Sequence, residues 1–227
     1  MKLLALDTST EACTVAVSIE DRTLERFELG TRHAERILIM VSELLAEAGV
    51  GLAQLDAFAF GRGPGSFTGL RIGAGVVQGL AFGIDRPVVP ISSLAALAQG
   101  QKADRVLAAF DARMQQVYWG AYERSPQGLM ALRGEERVIA PAHVPLPEGE
   151  GWQGAGTGWD QYHDTLTARL AGRLAGWTPG AFPHAADLAR LAVPALAAGR
   201  AVRADEAVPV YIRDEVAAKQ RPRDRTE

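Results

Sequence analysis

An apolar strand that ends in aspartate occurs twice in this chain, and the repetition constrains the fold more than any single motif does. Leu3 to Leu6 runs into Asp7-Thr8-Ser9-Thr10, and Val106 to Phe110 runs into Asp111-Ala112-Arg113. Each is followed by further strand-like runs. Cys13 to Ile19 alternates through Val15, Val17 and Ile19, and Arg22 to Leu29 completes a meander; Gln116 to Tyr122 and Leu129 to Ile139 do the same after Asp111. The two units start about 104 residues apart, far more than a solenoid period, which indicates a duplicated α/β domain. With 227 residues the chain can hold two such units, each with a core of its own.

Between the meanders the pattern becomes helical. A helix should open at Thr31 or His33, with Glu35 in its first turn and Gly49 past its end. Leu55 to Phe60 reads as a strand, Arg71 to Phe82 as a helix, Val88 to Ile91 as a strand and Ser92 to Ala98 as a helix. The first hundred residues therefore read βββαβαβα. In the second half Pro141 to Glu150 is a loop and Gly154-Ala155-Gly156-Thr157-Gly158 a turn. Helices are expected over Asp160 to Arg173 and over Ala185 to Ala198, the latter kinked or shortened by Pro194. The expected division is 1–103, 104–214 and a mobile tail over 215–227, where Arg221, Arg223 and Arg225 stand without an apolar anchor.

Composition narrows the function. Twenty-four Lys and Arg against 27 Asp and Glu leave a formal charge of −3, so a nucleic-acid role must be indirect or confined to a patch such as the tail. One cysteine, Cys13, excludes an intrachain disulfide and a multi-Cys zinc site, and its place in an alternating apolar strand makes it a core thiol. No run approaches the roughly 20 apolar residues of a membrane span, and the start is too short in apolar residues for a secretion signal. A cytoplasmic protein without a membrane partner is expected.

The segment GRGPGSFTGLRIGAGVVQGLAFG, from Gly61, invites an enzyme label. A phosphate loop needs GxxxxGK with a following Ser or Thr, and the chain has no Gly-Lys. The dinucleotide fingerprint fails at Ser66 or at Gln78, and the GxSxG elbow fails around Ser66. What remains is a turn, Gly61 to Gly65, feeding a helix that carries Gly69, Gly73, Gly75, Gly79 and Gly83. Each glycine inside a helix costs about 1 kcal/mol relative to alanine, so something must offset several of them. Spacings of four clear strips on which another backbone can approach. No charge lies between Ile72 and Ile84, and the 33–48 helix is also greasy: Leu38 widens its stripe and Ile39 lies opposite it. We therefore expect helices 33–48 and 69–83 to make a partner interface through His33, Ile37, Met40, Val41, Leu44, Leu45, Gly69, Leu70, Gly73, Val76, Val77 and Leu80. The alternative is that the chain's own second half covers both.

LALDTST at the start, His33-Ala34-Glu35-Arg36, GPGSFTGLRIG and PVYIRDEVA together resemble the bacterial TsaB family, also called YeaZ, over most of the chain. The resemblance implies an actin-like (ASKHA, ribonuclease H-like) fold of two tandem βββαβαβα-type subdomains. It implies a role in making threonylcarbamoyladenosine in tRNAs that read codons beginning with adenine. TsaD would be the transferase partner, joined through the first-domain helices, TsaE an ATPase in the same complex, and self-association through the same surface is a further property. No catalytic residue, cofactor or metal is expected of this chain, and tRNA contact would be indirect or through the tail. No two of its four histidines are four apart, so the HxxxH metal pair of catalytic relatives is missing.

Asp7 and Asp111 occupy positions that face magnesium and phosphate in actin-like ATPases, and Gly154 and Gly156 resemble the adenosine-side turn. These four residues are candidates for a vestigial nucleotide site. The plainer reading is a carboxylate accepting backbone N–H bonds in the following turn. An ATP-dependent phosphotransferase, and a peptidase built on Ser66 or Cys13, are the rival functions.

Overall fold

The computed structural model describes residues 1–30 and 32–213. Its first half contains β1 (Lys2–Asp7), β2 (Ala12–Ile19), β3 (Arg22–Leu29), α1 (His33–Ala48), β4 (Ala57–Gly61), α2 (Phe67–Gly83), β5 (Val88–Ile91) and α3 (Ser93–Gln99). The second half contains β6 (Arg105–Asp111), β7 (Val117–Arg124), β8 (Met130–Ile139), β9 (Trp152–Ala155), α4 (Thr157–Arg169), β10 (Leu174–Thr178) and α5 (Ala185–Ala197).

The two halves share one topology. The first sheet has the order β3-β2-β1-β4-β5 and the second β10-β9-β6-β7-β8, which is the same order written from the other edge. In each, an antiparallel meander is extended on its first strand by two parallel strands. Where the first half places α1 between its third and fourth strands, the second has only a short turn of 3-10 helix, Pro141–His143.

Helices α1 and α2 cover one face of the first sheet: Ile37, Met40, Val41 and Leu44, with Ala74, Val77 and Ala81, pack on Leu4, Leu6, Val15, Val17, Phe58 and Phe60. Helix α4 covers the outer face of the second sheet, with Trp159 at its centre donating from Nε1 to the Leu107 carbonyl at 2.8 Å. Between the sheets the helices are exchanged. α3, from the first half, packs Leu94, Leu97 and Ala98 on Val106, Ala108 and Phe110 of the second sheet. α5, from the second half, packs Ala185, Leu188, Ala189, Ala192 and Ala195 on Leu3, Ala5, Ala57 and Ala59 of the first. The alanines on both sides let helix and sheet approach closely, so a helix from 104–214 covers a face of the first sheet.

Glu25 on β3 fixes the start of α5. Its Oε1 accepts from the Ala186 N–H at 3.0 Å and from the Thr14 hydroxyl at 3.0 Å, and its Oε2 lies 3.0 Å from His184 Nδ1. A carboxylate there also suits the positive end of the helix dipole.

Several boundaries differ from the sequence expectation. α2 begins at Phe67, not Arg71, because Ser66 caps it. α4 runs from Thr157 to Arg169, ending before the expected Arg173, β9 takes in the start of the expected turn, and β10 follows the helix where no element was expected. α5 runs through Pro194 as far as Ala197. The tail 215–227 with its arginines, and the start of the first helix at Thr31, lie outside the described residues.

After α5 the chain returns across the first half. Val202 pairs with Val88, Ala204 and Ala207 join the core beneath α1 and α2, and Gln78 Nε2 donates to the Ala207 carbonyl at 3.1 Å. The Val210 N–H then donates to the Arg62 carbonyl at 2.8 Å.

Candidate functional site

The glycines of α2 separate into two sets when a Cβ is built on each. At Gly69 that carbon would overlap the Thr8 carbonyl oxygen, and at Gly73 it would lie 2.6 Å from the Thr8 hydroxyl. The same hydroxyl donates to the Gly69 carbonyl at 2.7 Å, so α2 is laid directly on the turn after β1. At Gly75, Gly79 and Gly83 a Cβ would meet nothing within 4 Å. These three, spaced by four, form a bare strip on the outward side of the helix.

The outward surface of the helix pair carries exposed apolar side chains. Phe82 is 78% exposed, and on α1 Leu38 and Ile39 are 52% and 45% exposed. His33, Ile37, Met40, Val41, Leu44, Gly69, Leu70, Gly73 and Val77 are buried against the chain's own sheet and turn, and Leu45, Val76 and Leu80 are half-buried. The amphipathic stripe of α1 is its core stripe. Ile39, out of phase with that stripe, was the signal for the outer face. The alternative that the chain covers these helices itself holds for the strap side of α2, where Ala204 and Ala207 lie, but not for the glycine strip.

Asp7 is fully buried at the junction of three elements. The Ser9 N–H and hydroxyl donate to its Oδ1 at 2.8 and 2.7 Å, and the Ser93 hydroxyl donates to its Oδ2 at 2.7 Å. Burial raises its pKa, against the lowering effect of the Ser93 and Ser9 bonds. A side chain at Gly61 would run into this carboxyl. Asp7 thus ties the ends of β1 and β4 to the start of α3 and does not line the cleft between the halves. Asp111 does line it, but its Oδ1 accepts from the Arg113 N–H at 2.9 Å and its Oδ2 pairs with the Arg113 guanidinium at 3.1 Å. Both aspartates make the turn bond of the plainer reading.

Gly154 and Gly156 are filled by their own chain. A Cβ at Gly154 would enter the Trp159 ring, and one at Gly156, whose φ is +107°, would strike the Ala109 carbonyl. The four residues proposed as a nucleotide relic are therefore not gathered around one space.

The remaining nucleophile candidates are engaged structurally. Ser66 Oγ accepts from the Gly69 N–H at 3.4 Å, while His33 Nε2 lies 2.8 Å from the Thr10 carbonyl. Cys13 is buried, and burial lifts its thiol to about 11. Among the described residues no group of three or more His, Cys, Asp or Glu could hold a metal ion. None of the described helices is long and apolar enough to cross a membrane.

Two sheets of one strand order, with exchanged helices between them and a cleft at their strand ends, define an actin-like α/β protein of the ASKHA type. The family described as "TsaD: tRNA N6-adenosine threonylcarbamoyltransferase" matches residues 28–220. The chain is 41% identical over 230 residues to the tRNA threonylcarbamoyladenosine biosynthesis protein TsaB of Escherichia coli K12, covering 98% of this chain and 99% of that protein. It is 41% identical over 237 residues to the protein of the same name from Haemophilus influenzae, covering 98% of each. The solved structure of YeaZ from Pseudomonas aeruginosa superimposes with a TM-score of 0.86 at 52% identity, covering 92% of this chain and 99% of that one. The chain belongs to the TsaB (YeaZ) family of tRNA threonylcarbamoyladenosine biosynthesis proteins.

Proposed function

We propose that this chain is a scaffolding subunit of tRNA threonylcarbamoyladenosine formation and performs no chemistry itself. It binds and stabilises the transferase TsaD, with TsaE joining the pair. The observation that carries the reading is the bare strip at Gly75, Gly79 and Gly83. Glycine in a helix costs about 1 kcal/mol per residue, and nothing among the described residues offsets that cost at these three positions. A partner backbone laid in the strip, flanked by Phe82, Leu38 and Ile39, would supply the offset through close packing. The engagement of Asp7, Asp111, Ser66 and Cys13 in the fold supports a role without catalysis and weighs against the phosphotransferase and peptidase readings.

Mixing the purified chain with TsaD from the same organism, and following mass in solution, tests this. A co-migrating heterodimer is expected, to which TsaE adds. Two separate species at micromolar concentrations would contradict it. Self-association of the free chain through the same strip is expected to be displaced by TsaD.

A further inference from the structure

The cleft between the two halves has a volume of about 550 Å3 and is lined by residues from both, together with the C-terminal strap. Its floor is closed by buried groups such as Leu70 and Phe110, whereas its mouth carries the aromatic rings of Phe67 and Tyr211 and the arginines Arg113 and Arg213. Phe67, the first residue of α2, is 49% exposed, and the ring of Tyr211 on the strap lies 5.5 Å from it. The Arg71 guanidinium sits 3.8 Å above the Phe67 ring, and its Nε donates to the Tyr211 hydroxyl at 3.2 Å. These three side chains form one prearranged platform.

Across the mouth, Arg113, Met114 and Gln115 are three consecutive left-handed residues, with φ of 61°, 52° and 58°, none of them glycine. Such backbone is costly, and here it leaves Met114 79% exposed, gaining no packing for it. Arg213 bridges the two walls, donating to Met114 Sδ at 3.3 Å and to Gln116 Oε1 at 2.5 Å. Among the described residues Arg71 and Arg213 bond only to neutral groups, while Arg113 pairs with Asp111. Arg113 and Arg213 thus stand against Asp111 and Glu11 along the lining, and Arg71, outside the lining, adds a third arginine beside Phe67 and Tyr211.

We infer that the mouth of this cleft binds a nucleotide unit of single-stranded RNA, with the base against Phe67, Tyr211 and Met114 and the flanking phosphates on Arg71 and Arg213. Stacking on aromatic faces with arginine on the backbone is how single strands are held without a sequence code. A free nucleotide fits less well, because the carboxylates that would hold its magnesium are occupied: Asp7 lies buried away from the cleft and Asp111 is paired with Arg113. The choice of RNA rests on the tRNA role proposed above; the geometry does not.

Fluorescence anisotropy of a labelled single-stranded RNA of about eight nucleotides with the full chain tests the inference. Saturable binding that weakens as salt rises is expected. Phe67→Ala with Tyr211→Ala should weaken it about tenfold or more, and Phe67→Trp, which keeps a stacking face, should retain it. Arg71→Gln with Arg213→Gln should flatten the salt dependence. The inference is overturned if no RNA binds at low salt, if AMP or ATP displaces the RNA at micromolar levels, or if binding ignores these variants and falls only with Arg221→Ala, Arg223→Ala and Arg225→Ala together. A chain that joins TsaD but binds no RNA overturns this inference alone. One that binds RNA in this way but forms no TsaD complex supports it and overturns the proposed function.

Discussion

The two glycine sets of α2 lie on one helix, within a few turns of each other, and have opposite relations to the rest of the chain. Gly69 and Gly73 are pressed against Thr8, so their missing side chains are used inside the fold. Gly75, Gly79 and Gly83 face open space, so their missing side chains are used by nothing among the described residues. Equal spacing therefore does not mean equal role. The first set is a requirement of folding, and the second is a cost to folding that, on the proposed function, a partner offsets.

The largest effect that could break this distinction is at Gly69. Gly69→Ala forces a methyl group into the Thr8 carbonyl, where backbone must shift, and should cost about 3 kcal/mol or more, in the upper range for overpacking. Urea unfolding measures it, and a cost below about 1 kcal/mol would show that the inner set is as free as the outer. Asp7→Ala comes next. It strands the Ser9 and Ser93 donors and opens a small cavity beside Gly61, for an expected loss of about 2 to 3 kcal/mol. Asp7→Asn keeps an acceptor and relieves the buried charge, so it should cost less than the alanine. A loss of partner function in Asp7→Asn with unchanged stability would instead give this residue a chemical role.

On the outer set the sign reverses. Gly75→Ala with Gly79→Ala should stabilise the free chain by about 0.5 to 1 kcal/mol per site, because alanine is the better helix former and nothing is displaced. Destabilisation in a thermal melt would mean that the strip is covered within the free protein.

The smallest effect is a control on α5, remote from both sets. Burial pushes the Glu25 carboxyl up, but bonds from His184, the Ala186 N–H and Thr14 outweigh it and hold it below its usual 4.5. The Glu25 bond, against burial, raises His184 above its usual 6.5. The His184 contribution is full below 6.5 and is lost as pH rises through the raised value. The Glu25 contribution is full above 4.5 and is lost as pH falls through the lowered value. The stability gap between wild type and Glu25→Gln should therefore be widest between pH 4.5 and 6.5 and narrow as pH rises through the raised His184 value. Both groups are partly exposed, so solvent screening keeps the effect modest. A gap that widens with pH would contradict the assignment.

Much of the fold was legible in the residues. Alternation through Val15, Val17 and Ile19 and the Asp7 and Asp111 echo point to the paired meanders, and the Ser92 and Gly49 caps bound their helices. β9 and β10 were not legible. Each is short, and Gly154 inside β9 reads as a turn residue, whereas β9 forms only by pairing with β6 and β10 only by pairing with β9. Nor does any local pattern show that α5 crosses to the first sheet, since its alanine face would suit either one. The site was half legible. Spacing found the glycines, but a spacing of four occurs on every side of a helix, so it did not tell the inner strip from the outer. Residues such as Ile37 and Met40 were placed at the interface because a greasy stripe reads the same whether a sheet or a partner covers it.

The most direct test of the central claim is to replace Gly75 and Gly79 together by leucine and measure melting and association with TsaD side by side. The account predicts a melting temperature at or above wild type, because both side chains enter open space, with binding weakened at least about a hundredfold, equivalent to about 2.7 kcal/mol. An undiminished complex from this variant would contradict the claim that the outer strip is where the partner sits.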